Sequence, residues 1–159
     1  MFREMRRNAQ QLTENECIDI LNNSTSGVLA VAGDDNYPYA VPLSFVYDNG
    51  KIYFHCALTG HKTDAIERNE KVSFCVISQD KIYPEEFTAL YKSVILFGKA
   101  HIIKSNDEKH KAITLLAKKY SPHQTNTDEV VAESFDNFHI VRIDIEHMTG
   151  KQAKELMNS

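Results

Sequence analysis

The sequence predicts a mainly β protein, a single antiparallel barrel of about six strands with helices at its periphery. Three observations carry this expectation. Short apolar or alternating runs recur between residues 27 and 148, the pattern of strands that bury one face. Most are joined by turn-sized connections, among them Asn49-Gly50, a pair suited to a tight hairpin because both residues tolerate positive φ. No repeat, low-complexity tract or linker interrupts the 159 residues, so one domain over 1–159 is expected.

The elements follow in order. Thr13 and Glu16 fit a capping box, each side chain satisfying a free backbone N–H of the other. Cys17, Ile18, Ile20 and Leu21 are the apolar positions of the helix they open, and Asn22-Asn23 with Gly27 end it. GVLAVAG (27–33) is the first strand; PYAVPLSFVY (38–47) alternates up to the Asn-Gly turn, and KIYFHCA (51–57) returns from it. KVSFCVIS (71–78), SVILFGKAHII (93–103, with Gly98 placed for a bulge) and FHIVRIDIEHM (138–148) complete six strands. Residues 62–69 read as a short helix. Residues 106–120 read as a longer one, capped by Asn106, with acids in its first turn and lysines in its last as the helix dipole favours. Ala112, Ile113, Leu115, Leu116 and Tyr120 form its packing stripe. Further helices are expected at 128–136 and 151–157. The stretch 79–92 is too long for a hairpin turn and reads as an ordered connection, functional or crossing to a partner.

Composition narrows the function classes. A hydrophobic content of 42% with 25% charged residues is that of a soluble globular chain. A net charge of −4 argues against nucleic acid, whose phosphates call for a basic excess. MFREMRRNAQQ is basic with no apolar run behind it, unlike a secretory signal, and no apolar stretch reaches membrane-spanning length. A cytoplasmic protein without membrane partners is expected. Cys17, Cys56 and Cys75 form no C-x-x-C pair and read as small buried hydrophobes. The seven histidines show no metal-ligand spacing, so no metal site is expected. No G-x-S-x-G, Walker loop or G-x-G-x-x-G occurs, and six glycines leave no material for a Gly-rich phosphate cradle.

The most informative stretch is YFHCALTGHKTDAIERN (53–69). His61, Lys62 and Thr63 open a helix whose first N–H groups lack internal partners and carry the positive end of its dipole. Gly60 before them lets the backbone approach a ligand closely. On pattern alone this is an anion site or a helix start facing water; both readings stand. His55 ends a strand, as a partly buried hydrogen-bonded side chain or as a functional group, with Cys56 on the opposite face. Glu85-Glu86 is a solvated loop pair or, if buried, an acid/base pair.

The run NYPYAVPLSFVYDNGKIYFHCALTGHKTDAIERNEKVSFCVI (36–77) resembles the flavin-binding core of the pyridoxamine 5'-phosphate oxidase-like split-barrel superfamily. The MFREMRR opening, P-Y-A-V-P, Y-F-H-x-A with G-H-K, P-E-E-F, S-V-I-x-F-G-x-A and the closing H-M-T-G-K are similar to its 5-nitroimidazole-resistance (Nim) branch. The resemblance implies a homodimer of split β-barrels that binds FMN, or FAD, at the subunit interface. It places the backbone of Val41, Pro42, Leu43 and Ser44 along the isoalloxazine ring, with His55, Cys56 and Ala57 beside it. It makes His61 and Lys62 the phosphate-holding pair, with Thr63 as a further donor. Ser93 falls at a polar position near the ring, and Tyr91 within reach of the partner's flavin. The implied activity is a flavin-dependent oxidoreductase with NAD(P)H as candidate reductant, passing electrons to a small-molecule acceptor such as a nitroaromatic, with His55 beside the substrate. A non-catalytic flavin binder or redox sensor is the alternative, and a haem-binding barrel a more distant one. The Arg-Lys pair of the vitamin oxidases is His61-Lys62 here, and their Arg- and His-bearing final segment has no match in IVRIDIEHMTG, which turns expectation away from pyridoxamine phosphate.

Overall fold

Local chemistry sets each element of the computed structural model, which describes residues 1–157. Thr13 caps α1 (Glu14–Asn23) with both arms of the capping box in place. β2 (Gly27–Ala32) and β3 (Pro38–Leu43) form a hairpin, and β4 (Val46–Asp48) pairs with β5 (Lys51–Cys56) through Asn49 and Gly50, both at positive φ. α2 (His61–Arg68) follows. β6 (Lys71–Tyr83) and β7 (Thr88–Ile102) are followed by α3 (Asn106–Tyr120), α4 (Thr127–Ser134) and β8 (His139–Gln152). A two-residue β1 (Gln11–Leu12), which carries no periodic signal, pairs with the end of β8.

Every strand pair is antiparallel, in the order β3-β2-β6-β7-β8-β5-β4. The two ends of this order, β3 and β4, are joined by Ser44 and Phe45 alone. The sheet therefore curls until its edges meet across a two-residue link, closing covalently where no ladder of hydrogen bonds closes it. This is a barrel split along one seam. The inner face holds Leu29, Phe45, Phe54, Phe74, Leu96 and Ile143, all essentially inaccessible, and α1 and α2 add Cys17, Leu21, Ala65 and Ile66 to the same core. α3 forms a second, smaller core with β4, β5 and β8 around Tyr53, Leu116 and Ile140.

The strand count rises from six to eight because residues 38–47 break into two strands at the link and β1 is added. The segment 79–92 is not a connection. β6 and β7 run through it as one long ribbon, turned by a 3-10 segment at Pro84–Glu86 with Phe87 left-handed at φ 51°. Period-2 alternation fails there because the ribbon projects beyond the core and neither face is buried. The cap of α3 is Ser105, whose side chain accepts from the Glu108 N–H, and not Asn106. Lys151 and Gln152 extend β8, leaving only a 3-10 turn at Lys154–Leu156 where a helix over 151–157 was expected. Gly98 sits at a register shift against β8, and a Cβ there would collide with the Asp144 carbonyl. Cys17 and Cys56 are buried, whereas Cys75 is half-buried on the outer sheet face.

Candidate functional site at the barrel seam

The seam exposes backbone. β3 has a strand neighbour on one side only, and β4 covers β5 only as far as Tyr53, leaving Phe54, His55 and Cys56 uncovered on that edge. The 41–44 and 54–57 segments are the two banks of this opening. Along the first, Val41 and Leu43 pack on the core while Pro42 and Ser44 are exposed. Along the second, His55 and Ala57 are exposed and Cys56 is buried, so the expected opposition of His55 and Cys56 holds. Burial pushes the Cys56 thiol up, against a weaker downward pull from Lys62. It is a core group and not a thiolate nucleophile.

The link itself is braced from α3. The Tyr120 hydroxyl accepts the Phe45 N–H at 2.9 Å and points its proton at the carbonyls of Thr25 and Phe45. Lys119 lies with Nζ 4.1 Å from the Phe45 ring centroid and donates to the Leu21 carbonyl; burial lowers its pKa. The strand break at Ser44-Phe45 is thereby held in one geometry although no ladder spans it.

His55 makes no hydrogen bond or ion pair among the described residues. Its ring meets the edge of Phe138 at 6.2 Å. Phe138 and Phe135 are in turn held by Lys109, whose Nζ sits 4.5 and 4.6 Å from their centroids and donates to both their carbonyls. His55 and Ser44 open on a cavity of about 420 Å³ whose wall is the apolar face of α3 and α4, including Leu116, Tyr120 and Val131.

Across the seam, α2 begins at Gly60, at φ 151° and with no side-chain cap, so the helix N-terminus meets its surroundings as bare backbone. Lys62 makes no ion pair among the described residues, and its Nζ lies 5.9 Å from the Phe54 centroid. His61 is more committed. It stacks on Tyr39 at 4.2 Å, and its Nε2 accepts the Asp34 N–H at 3.2 Å, so only Nδ1 remains for a ligand. Thr63 is buried, and its hydroxyl donates to the Gly60 carbonyl at 2.7 Å, leaving its backbone N–H as the available donor. Lys62 and the first N–H groups of α2 are the positive groups left unengaged at this end.

Tyr91 and Ser93 lie elsewhere in the chain. Ser93 faces Ile77 and Lys151 in mid-sheet, and the Tyr91 hydroxyl accepts from Gln10 at 3.2 Å at the ribbon base. Neither lines the cavity that Ser44 and His55 share. The seam, the Tyr120 brace and the α3–α4 cavity were invisible in the sequence. Their only signal was Tyr120 itself, a polar-tipped residue ending an otherwise apolar stripe.

The fold is that of a split antiparallel barrel, with an uncapped helix start and an open strand edge at its seam. The chain matches the pyridoxamine 5'-phosphate oxidase family over residues 13–152, and it belongs to that family. No curated protein matches it significantly. Among solved structures, it is similar to a candidate 5-nitroimidazole antibiotic resistance protein from Bacteroides thetaiotaomicron (21% identity, 89% of this chain and 86% of that chain, TM-score 0.77). It is similar to a conserved hypothetical protein of Mycobacterium tuberculosis (21%, 96% and 92%, TM-score 0.83). A third is an FAD-binding protein from Mesorhizobium loti (23%, 91% and 97%, TM-score 0.67). At these identities the likeness is one of fold. Among the described residues no helix is long and apolar enough to cross a membrane, and no group of side chains could hold a metal ion.

Proposed function

We propose that the protein is a flavin-dependent oxidoreductase of the Nim type, binding FMN at the seam and acting on a small neutral acceptor such as a nitroaromatic. The observation that supports this is the opening at the seam, where Ser44 at the free β3 edge and the unpartnered His55 share one cavity. The uncapped start of α2 adds unpaired Lys62, whose Nζ lies 5.9 Å from the Phe54 ring. Family membership and the FAD-binding neighbour support the same reading.

The residues fit the group. The β3 edge offers backbone donors and acceptors to a flat heterocycle, and Lys62 with the first N–H groups of α2 neutralises a phosphate. The flavin, when bound, supplies the electron transfer, which no side chain of this protein can perform. His55 orients the acceptor and holds a proton at a ring nitrogen toward the cavity. Phe138, pinned by Lys109, fixes the plane of that imidazole.

The assembly belongs to the same proposal. The outer sheet face carries the row Pro42–Val28–Cys75–Ile95–Thr149 and beside it Ala40–Ala30–Ser73–Phe97–His147. A water-facing side of an antiparallel sheet normally alternates to polar residues, yet these rows hold no Lys, Arg, Asp or Glu. Phe2 of the same chain stacks on Phe97 and His147, and a second copy of this chain is the fitting cover for the rest of the face.

Absorbance of the purified protein, followed by FMN and FAD titration of the stripped protein, tests the reading. Flavin uptake with quenched flavin fluorescence is expected, followed by bleaching with NADH and recovery on adding a nitroimidazole. A protein that takes up neither flavin overturns the proposal. One that binds FMN but resists NADH and dithionite-linked acceptor turnover is a flavin binder without this activity.

A further inference from the structure

The α3–α4 cavity stands apart from the phosphate end of the site and has its own chemistry. Its volume of about 420 Å³ falls within the roughly 300–1,000 Å³ typical of small-molecule pockets. None of the described residues lining it is charged. Leu116 and Val131 are buried in its wall, and Ile113 and Ala117 flank them on α3. The Tyr120 hydroxyl, engaged with the backbone of the link, contributes only its ring. Polar groups sit at the ends: Ser44 and the unpartnered His55 at the seam, and Gln124 with Asn126 at the outer rim.

We propose that this cavity is a selectivity compartment for a neutral aromatic ring, which enters between α3 and α4 and presents a hydrogen-bonding substituent to His55 and Ser44. The proposal rests on the flavin reading for the direction in which the ring is used, but the cavity's chemistry stands without it. A flat apolar ring matches the aliphatic walls, and an acceptor group on it meets two free donors at the seam. An anionic or phosphorylated ring would lose its hydration with no cation in the lining to replace it. The compartment therefore excludes the phosphorylated substrate after which the family is named. It does so by lacking a counter-charge and not by size.

Binding of nitrobenzene and of 4-nitrobenzoate to the purified full-length protein, followed by ligand-observed NMR, tests this. Nitrobenzene is expected to bind and 4-nitrobenzoate to bind about tenfold or more weakly, the effect of an unpaired charge taken from water. Ala117→Trp, which fills the cavity, is expected to abolish nitrobenzene binding while FMN affinity is retained. Val130→Lys, at an exposed rim position, tests the same chemistry without touching the packed wall. It is expected to raise 4-nitrobenzoate affinity at least to that of nitrobenzene. Equal binding of the two ligands to the unaltered protein, or nitrobenzene binding unchanged in Ala117→Trp, overturns the proposal. So does loss of FMN from folded Ala117→Trp, because the cavity would then be the flavin's own slot. If no flavin binds but the nitrobenzene results hold, the flavin reading falls and the compartment stands.

Discussion

Lys62 and Tyr120 show how differently two polar side chains can serve one opening. Lys62 is an unpaired cation at the dipole-positive end of α2. Replacing it by Ala is expected to weaken FMN binding by about 1–3 kcal/mol, the loss of one charge-assisted phosphate contact. Fluorescence titration checks this, and riboflavin, which lacks the phosphate, should bind the variant and the parent alike. The Tyr120 hydroxyl is not a ligand group, and it satisfies the backbone where the barrel is unladdered. Tyr120→Phe leaves the Phe45 N–H unpaired in a part-buried site, and a loss of about 1–3 kcal/mol in unfolding free energy is expected. Urea denaturation measures it. The sequence showed both residues and expected a ligand role for Lys62 alone of the two. It assigned His61 and Thr63 to the phosphate as well, and could not show that their side chains bond Asp34 and Gly60.

At the scale of elements, the β6–β7 ribbon and the α3 clamp carry separate consequences. Phe87 at the ribbon tip is fully exposed and left-handed, a conformation costing a non-glycine residue about 1–2 kcal/mol. Phe87→Gly is expected to leave the protomer at least as stable while weakening self-association, read by comparing melting temperature with dissociation in sedimentation. α3 is tied to the barrel through Glu108, which accepts from Arg142 at 2.8 Å and from the Tyr53 hydroxyl at 3.1 Å. Burial pushes Tyr53 up to about 12, with the Glu108 bond adding to it. Burial alone would raise Glu108, but the bonds from Arg142 and Tyr53 outweigh it and hold its carboxyl below the usual range. A carboxyl depressed on folding stabilises the protein above its unfolded value, about 4.3, and that stabilisation fades as pH falls through the lower folded value. Glu108→Gln should therefore make the acid limb of a melting-temperature profile shallower and leave the neutral plateau lower. A limb of unchanged slope would show that Glu108 is not the group responsible.

For the whole molecule, the two uncharged rows of the outer sheet face carry the proposed pairing of two copies. Ile95 is 43% exposed in the row from Pro42 to Thr149. A lysine there would put a buried, unpaired charge at a two-fold contact, so Ile95→Lys is expected to yield monomers by light scattering. If the flavin is shared between copies, the same variant should lose FMN affinity while its circular dichroism stays native. Fold and site were legible to different depths. Alternation exposed the strands whose inner face is buried, the Asn49-Gly50 pair gave the hairpin, and the capping box gave α1. It failed for 79–92 and for β1, where neither strand face is covered or the strand is too short to show a period.

The sequence by itself determined the antiparallel barrel, the helix start at 61–63 and, through the order of its motifs, the family. These follow from local rules, since period, caps and turn residues act within a few positions of one another. Only the tertiary structure decided that the barrel splits at Ser44-Phe45, that Tyr120 braces the split across 75 residues of chain, and that His55 opens on an uncharged cavity under α3 and α4. Each depends on which distant surfaces meet when the sheet curls, and one strand's pattern records only that a face is buried, not what buries it.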